Sequence, residues 1–391
     1  MKILEGVRVL DLTRLLIGDY CTMLLGDMGA EVIKVEEPDL GDYIRWAPPF
    51  INEQSVLHLL LNRNKKSLRL NLKSEKGKEV FNNLVKRSDL IVENFRPGVA
   101  KKLGIDYDSV KKINDQIIYC SISSYGQDGP YKDSPGHDIN YLGYAGILDI
   151  TGSRNSPPVI PGVQIADLPT SLMAALGIIA ALYLKGKTGK GQYIDVSALD
   201  VATSLIVVPA ATYIGEGKSP ERGTWFLNGG LPCYNIYETK DKKYITVGCI
   251  EEKFWTSFCK VLDVEDFIPF QYTRDEEKIK EMFQAIGRII STETREEWLK
   301  LFAKKSLPCG PVHDFEDVFR DPQILYRRMI MEAKYPEVGK VKQFNIPVKF
   351  SESSCEIRQP PPSFGEHTED ILKQLGYSET EIAEMRQNGI V

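Results

Sequence analysis

The amino-acid sequence predicts an α/β fold with a parallel sheet, in a chain long enough for two domains. Two apolar segments, VRVLDL at Val7–Leu12 and EVIKV at Glu31–Val35, have the pattern of short strands, and Ile17–Gly29 between them has the pattern of a helix. A strand–helix–strand unit implies a right-handed crossover between parallel strands. The length of 391 residues, with 42% hydrophobic and 26% charged residues, is typical of a soluble globular chain.

The elements that follow continue this alternation. Further strands are predicted at Leu68–Leu72, Leu90–Phe95 and Ile117–Ser123, with an amphipathic helix at Glu75–Lys86. Glycines follow the first strand, but the GxGxxG pattern of a dinucleotide site is absent. We therefore expect a Rossmann-like topology that does not bind NAD.

A long apolar helix is predicted at Leu168–Leu184, before a strand at Tyr193–Val196. Its most apolar part, Leu172–Leu184, is too short to cross a membrane, so we expect a buried helix. The pair Gly229–Gly230 marks a domain change. Later elements are a strand at Tyr244–Ile250 and helices beginning at Glu252, Thr294, Asp321 and Ser378.

Composition excludes several classes of function. The net charge of −5 gives no global attraction to nucleic acid or to anionic membranes. The seven cysteines include no CxxC pair and the four histidines no HxxxH, which argues against a metal site or a disulfide framework. The N-terminus has a strand pattern rather than a signal peptide. These features predict a cytoplasmic protein without a metal.

A histidine and an aspartate are the main candidates for chemistry. His137 lies beside Asp138 in a loop marked by glycine and proline, and Asp167 directly precedes the apolar helix. A base on a loop and a carboxylate at a helix N-terminus are suited to proton abstraction. Each has an ordinary alternative, because aspartate is a favoured helix cap and a loop histidine is commonly solvated. Their pairing within one stretch favours a functional role.

Two basic loops, Asn62–Lys66 and Asn94–Lys102, adjoin predicted strands. Binding sites in open α/β sheets collect at strand ends, so these loops could hold several phosphates. The alternative is a solvated basic face, which charge alone favours. The cations concerned are Arg63, Lys65, Lys66, Arg96, Lys101 and Lys102.

Several blocks, in one order over nearly the whole chain, resemble the superfamily of family III CoA-transferases and α-methylacyl-CoA racemases. They are GVRVLDLTRLLIGDYCTMLLGDMGAEVIKVE, LNRNKKSL, ENFRPGVAKKLG, GQDGPY, GHDINYL, the AD of QIADLPT, KTGKGQYIDVS, GGLPCYNIY and GEHTEDIL. The resemblance implies a large Rossmann-like domain whose sheet is completed by both chain termini, a smaller α+β domain and an interlocked homodimer. The expected bounds are 1–197 and 331–391 for the large CoA-binding domain and 225–295 for the small one, with linkers at 198–224 and 296–330.

The resemblance gives Asp167 a catalytic role in both branches of the superfamily. In the transferases the matching aspartate attacks the acyl-CoA thioester and passes through an anhydride and an aspartyl-CoA thioester. In the racemases the matching aspartate is one of two bases around the α-carbon, and the histidine of the GHD motif, here His137, is the other. Asp138 also matches the racemase motif, and Glu251 matches a supporting carboxylate of the racemases. We therefore expect an α-methylacyl-CoA racemase that works through an enolate. The alternatives are a CoA-transferase, which the sequence Leu168–Ser171 after the aspartate favours, and a non-catalytic CoA-binding protein.

The resemblance also implies how substrate is bound. CoA is part of the substrate, and no prosthetic group is expected. Backbone N–H groups at the start of the Asp167 helix are expected to stabilise the enolate oxygen. The acyl group is not specified by the sequence. Residues expected to contact CoA are Asn62, Arg63, Lys65, Asn94, Phe95, Arg96 and Lys102, with Arg14 as a further one.

Overall fold

The computed structural model describes residues 2–391, which form two compact units. The first unit runs to Ala145 and also contains Val163–Leu205 and Pro322–Val391. The second contains Gly146–Gly162 and Ile206–Asp321.

The strands are β1 Arg8–Asp11, β2 Glu31–Glu36, β3 Phe50–Ile51, β4 Gln54–Ser55, β5 Lys65–Arg69, β6 Leu90–Glu93, β7 Ile118–Ser123, β8 Tyr193–Ser197, β9 Tyr234–Glu238, β10 Tyr244–Gly248, β11 Cys309–Pro311, β12 Ile330–Tyr335 and β13 Gly339–Phe344. The α-helices are α1 Leu15–Asp27, α2 Val56–Leu61, α3 Glu75–Val85, α4 Val99–Leu103, α5 Tyr107–Val110, α6 Asp138–Tyr144, α7 Ile147–Ile150, α8 Asp167–Thr188, α9 Ala198–Leu205, α10 Val207–Glu216, α11 Glu252–Val261, α12 Glu276–Ile290, α13 Arg295–Lys304, α14 Phe315–Val318, α15 Pro322–Tyr326, α16 Thr368–Leu375 and α17 Glu379–Gln387. Short 3₁₀ helices occupy Tyr43–Trp46 and Glu265–Phe270.

A six-stranded sheet in the order β5-β2-β1-β6-β7-β8 forms the centre of the first unit. Every neighbouring pair is parallel, and Val9 in β1 pairs with Val32 on one side and with Leu90 on the other. The predicted α/β class with a parallel sheet is confirmed. One strand is displaced from its predicted position, because β5 begins at Lys65 and ends at Arg69.

Both faces of this sheet are covered, since successive side chains of a strand point to opposite faces. On one face, Val9 packs in a core with residues of α1 and α8, including Ile178. On the other face, Leu10 packs in a core with Phe81 of α3 and Ile371 of α16.

The C-terminal segment completes the first unit with helices. All six strands of the large sheet come from residues 8–197, and the chain end contributes α16 and α17 to the core. The strands β12 and β13 form a separate antiparallel pair. The expectation that both termini complete the sheet is therefore wrong at the C-terminal end, because apolar residues such as Ile371, Leu375, Ile382 and Met385 recur there at helical spacing.

The second unit has a three-stranded antiparallel sheet in the order β11-β10-β9, packed against α11, α12 and α13. Its bounds differ from those of the predicted small domain, residues 225–295, because it also includes residues 146–162, 206–224 and 296–321. Arg222 ties the first of these segments in place: its Nε donates to the Asp149 carbonyl at 2.8 Å, and its guanidinium also donates to the Ser156 carbonyl. Sequence spacing does not reveal a tie between residues so far apart.

Helix α8 has two unlike sides. Thr170, Ala174 and Ile178 belong to its buried side, which packs against α1 and the sheet. The other side exposes large apolar residues, namely Leu172, Met173, Leu176, Tyr183 and Leu184. By length and composition the helix could cross a membrane, and 33% of its most apolar window is buried inside the protein. The prediction of a buried helix is therefore correct for one side only.

Candidate active site

Asp167 is the first residue of α8 and is half-buried. Within residues 2–391 its carboxylate accepts no hydrogen bond. The pKa of this carboxyl is raised from 3.8 to about 6, mainly by burial and also by the charge of Asp138, while His137 lowers it. Most Asp167 side chains are therefore ionised at neutral pH, and an ionised carboxylate free of hydrogen bonds is available for attack or for proton abstraction.

Asp138 caps the helix that carries Asp167. Its Oδ1 accepts the backbone N–H of Ala166 at 2.7 Å and that of Asp167 at 3.0 Å. A carboxylate at a helix N-terminus satisfies unpaired N–H groups and interacts favourably with the helix dipole. The predicted catalytic role of Asp138 stays a prediction, and its observed contacts hold the start of α8.

The start of α8 offers no free backbone donor to an enolate. The N–H groups of Ala166 and Asp167 are taken by Asp138, and that of Leu168 donates to the Gln164 carbonyl at 3.2 Å. Pro169 has no N–H, and Thr170 donates to the Ala166 carbonyl at 3.1 Å. The expected enolate donors are therefore wrong, because the helix cap and the first helical turn already use these groups.

His137 directly precedes α6, and its imidazole is exposed. Its backbone N–H donates to Oδ1 of Asn140 at 3.0 Å. Because Asp138 is the next residue and caps α8, the fold brings His137, Asp138 and Asp167 together in the first unit. Glu251 directly precedes α11 in the second unit and is exposed. Its predicted role as a supporting carboxylate stays a prediction.

Three of the residues predicted to bind CoA have buried side chains that are paired inside the protein. Arg63 forms an ion pair with Asp27 at 2.7 Å, and Lys65 contacts Asp11 and Asp19 at 3.1 Å. The Asn62 amide donates to Asp19 at 3.1 Å. The prediction that these three residues contact CoA stays a prediction, and their side chains, at 1% exposure or less, are held by internal partners.

The two basic loops do not meet. Residues 62–64 precede β5, whereas residues 94–98 follow β6, so in a parallel sheet they lie at opposite edges. Within residues 2–391 the two loops therefore do not form one joint phosphate site, which the sequence had left open beside a solvated basic face. Only the loop after β6 lies at the carboxyl edge, where ligands of such sheets bind.

At that carboxyl edge Asn94 holds the end of β1. Its Oδ1 accepts the Arg14 N–H at 2.9 Å, and its Nδ2 donates to the Arg14 carbonyl at 2.8 Å. The next residue, Leu15, has a left-handed backbone with φ of +62°, and its N–H donates to Asp42 at 3.0 Å. Strained backbone of this kind clusters at functional sites. Both ends of the Asn94 amide are used by the Arg14 backbone, so Asn94 does not present a free amide.

A cavity of about 170 Å³ lies at the same edge, with Arg14 in its wall. The Arg14 guanidinium lies 5.2 Å from the ring centre of Tyr43 and donates to its hydroxyl at 3.1 Å. Nearby, Phe95 is half-buried, while Arg96 and Lys102 are exposed and form no ion pair within residues 2–391. Cations of this kind remain available to phosphate groups.

The sequence did not reveal Asn71 and Lys73 as residues of this cavity. They follow β5 at its carboxyl end, but the strand was predicted to extend to Leu72 and so appeared to include Asn71. A correct strand boundary would have placed both residues in the loop at the carboxyl edge.

Metal ligands do not cluster in the part of the chain that the structure describes. No group of three or more histidine, cysteine, aspartate or glutamate side chains within residues 2–391 is placed to hold an ion. All seven cysteines are free thiols.

Comparison with known proteins identifies relatives along the whole chain. The sequence model of CoA-transferase family III matches residues 4–368. The succinyl-CoA:glutarate CoA-transferase of Homo sapiens is 39% identical over 398 aligned residues, which cover 100% of this chain and 90% of that protein. The formyl-CoA:oxalate CoA-transferase of Rhodopseudomonas palustris (strain BisA53) is 33% identical and covers 99% of this chain and 97% of its own length.

A solved structure supports the same relationship. A CAIB/BAIF family protein from Brucella suis superposes with a TM-score of 0.84 and 31% identity, covering 95% of this chain and 99% of its own. These findings favour the transferase alternative, since the relatives named above are transferases. The transferase alternative is therefore better supported than the racemase that was expected as the main activity. The chain belongs to CoA-transferase family III.

Proposed function

We propose that this protein transfers CoA between dicarboxylic acids, with Asp167 as the covalent nucleophile. The observation that carries the proposal is an ionisable, half-buried carboxylate without hydrogen bonds at the start of α8. Relatives named for glutarate and for oxalate support a dicarboxylate as the acceptor, and the succinyl-CoA relative supports a dicarboxylic acyl group on the donor.

The proposed reaction uses one carboxylate twice. Asp167 attacks the thioester carbonyl of the donor acyl-CoA, and the C–S bond breaks to give a mixed anhydride and the CoA thiolate. The thiolate then attacks the aspartyl carbonyl, which releases the first carboxylate and forms an aspartyl-CoA thioester. The acceptor carboxylate attacks this thioester, whose C–S bond breaks, so that a second anhydride forms and the CoA thiolate is released again. Return of the thiolate to the acceptor carbonyl gives the new acyl-CoA and restores Asp167.

The surroundings of Asp167 suit a nucleophile better than a base that makes an enolate. A thioester enolate needs hydrogen-bond donors for its oxygen, and the first N–H groups of α8 are all occupied. A nucleophile needs a reactive carboxylate held in a fixed direction, and the cap by Asp138 on the N–H of Asp167 itself supports that.

We propose that His137 binds the second carboxylate of the acceptor. A transferase does not need a base at the α-carbon, so the histidine is free for another task. Its imidazole is exposed and close enough to Asp167 to influence the pKa of that carboxyl. An imidazole N–H is a suitable donor to a carboxylate.

For CoA we propose the carboxyl edge of the large sheet. The cavity beside Arg14 and the exposed cations Arg96 and Lys102 support this site. Asn94 would contribute to CoA binding by holding the backbone of Arg14, because its amide is hydrogen-bonded to both the N–H and the carbonyl of Arg14. Any contact of residues 62–65 with CoA would have to use the backbone, because their side chains are engaged elsewhere.

We also propose a homodimer and a cytoplasmic location. Support for the dimer comes from the exposed apolar side of α8 and, separately, from α10, which has no buried residue. Large apolar areas of this kind mark sites of association, here with a second copy of the chain. The location rests on the free thiols, which suit a reducing compartment.

The experiment that tests the function is a transfer assay in heavy water. Purified protein is incubated with succinyl-CoA and glutarate, and products are followed by chromatography and mass spectrometry. We expect glutaryl-CoA to form only when glutarate is present, without deuterium at the α-carbon. The Asp167→Asn variant should abolish transfer. Deuterium uptake at the α-carbon without any transfer would contradict the proposal and restore the racemase.

A further inference from the structure

Tyr141 occupies a central position beside the proposed nucleophile. It belongs to α6 and is 5% exposed. Its hydroxyl donates to the Gly136 carbonyl at 2.6 Å and shares a hydrogen bond with the Ser124 hydroxyl at 2.8 Å. Because Ser124 directly follows β7, this phenol connects the carboxyl edge of the sheet to the segment that contains His137.

The segment before α6 is packed tightly against Tyr141. A Cβ atom at Gly136 would lie 2.6 Å from Cε1 of Tyr141 and 2.8 Å from the hydroxyl oxygen of Tyr125. Two aromatic side chains therefore fix the backbone at Gly136, and only glycine leaves room for them. The ring centres of Tyr125 and Tyr141 are 5.5 Å apart in an edge-to-face arrangement.

The same helix carries the cap of α8. Asp138 and Tyr141 are three residues apart in α6, which makes them neighbours on its surface. Asp138 holds the N–H groups of Ala166 and Asp167, while Tyr141 holds the backbone just before Asp138. The charge of Asp167 is among the causes, after burial, that raise the pKa of Tyr141 to about 12, so the phenol keeps its proton at neutral pH.

We propose that Tyr141 is a positioning residue for Asp167. Its hydroxyl fixes Gly136 relative to β7, which sets the direction of the Asp138 carboxylate and through it the first turn of α8. Tyr141 acts only through these residues, and the kinetic part of the inference rests on the proposed transferase function. The structural part depends only on the hydrogen bonds described above.

The test compares Tyr141→Phe with wild type and with Tyr131→Phe. Tyr131 lies in the same group of aromatic residues, but it is 44% exposed and its hydroxyl forms no hydrogen bond within residues 2–391. For Tyr141→Phe we expect kcat for CoA transfer to fall about 10- to 100-fold, while KM for the acyl-CoA changes less than about threefold. Tyr131→Phe should match wild type in both constants.

Hydrogen–deuterium exchange of the backbone provides a readout that does not depend on the reaction. In Tyr141→Phe the amides of residues 164–170 should exchange about three- to tenfold faster, because the cap of α8 loses its support. Exchange in β1 and β6 should not change. If Tyr141→Phe does not fold, Ser124→Ala removes the other hydroxyl partner and should give the same pattern in a milder form.

Each outcome decides the matter. Faster exchange confined to the start of α8, with the kcat loss, supports the inference. The same exchange change in a protein without transferase activity would remove the proposed function and keep the positioning role. Unchanged exchange at residues 164–170, or loss of activity only in parallel with unfolding of the whole first unit, would overturn the inference.

Discussion

Asp167 should make the folded protein less stable at neutral pH, and its replacement by asparagine should therefore be stabilising. The pKa of this carboxyl is raised from 3.8 to about 6 by burial and by Asp138. A raised pKa in the folded state means that stability falls as the pH rises through this range, because the folded protein resists ionisation more than the unfolded chain. Asparagine has a similar shape and carries no charge.

The size of the effect follows from the pKa values. The difference between 3.8 and about 6 corresponds to about 3 kcal/mol, and solvent screening at a half-buried group reduces this to about 1–2 kcal/mol. For a unit of this size the gain amounts to a rise of about 2–5 °C in the midpoint of thermal unfolding. The gain should be fully present above pH 6, shrink as the pH falls from about 6 to 3.8, and vanish below that.

Scanning calorimetry of wild type and Asp167→Asn at pH 7.5 and at pH 4 is the assay. Asp42→Asn is a control of opposite sign. The pKa of Asp42 is lowered, with ion pairing to Lys34 at 2.8 Å opposing the effect of burial. Removing its charge should therefore destabilise the protein at pH 7.5 by about 3–5 kcal/mol. An Asp167→Asn variant that unfolds at or below the wild-type temperature at pH 7.5 would refute the reasoning.

Three further predictions concern CoA, the acceptor and the assembly. Lys102→Glu should weaken CoA binding about three- to tenfold at low salt, with a smaller loss at high salt, whereas Lys78→Glu on α3 should have little effect; equal losses would argue against a localised site. In steady-state transfer assays His137→Ala should raise the KM for glutarate about tenfold or more and leave the KM for a monocarboxylate acceptor unchanged. Equal effects on both acceptors would exclude the proposed contact. In sedimentation velocity at falling concentration the protein should remain a dimer. The Leu176→Asp variant, on the exposed side of α8, should unfold at a lower temperature than wild type. A folded, active monomer of wild type would contradict the interlocked assembly.

The sequence predicted the sheet better than it predicted the surroundings of its charges. Strands of the first unit are short apolar segments between helical patterns, so their class and parallel arrangement follow from periodicity. Charge does not report burial in this way. Arg63 and Lys65 appear in the sequence as a basic loop, but the fold places Asp27, Asp11 and Asp19 against them. Contacts between residues so distant in the chain cannot be derived from local pattern.

The candidate site was predicted in part for the same reason. His137, Asp138 and Asp167 were identified from residue type and position, and the fold brings them together. The hydrogen bonds between them were not predictable, because the cap by Asp138 joins residues 28 and 29 positions apart. Because these bonds occupy the N–H groups of Ala166 and Asp167, those groups cannot donate to the oxygen of an enolate as a racemase would require.

Direct detection of the aspartyl-CoA thioester would test the central role of Asp167. The protein is incubated with succinyl-CoA in the absence of an acceptor, quenched with hydroxylamine and digested, and the peptide that contains Asp167 is sequenced by mass spectrometry. Hydroxylamine converts an acyl thioester into a hydroxamate, so we expect a hydroxamate at Asp167 in wild type and none without succinyl-CoA. An active protein whose Asp167 is never modified would contradict the account.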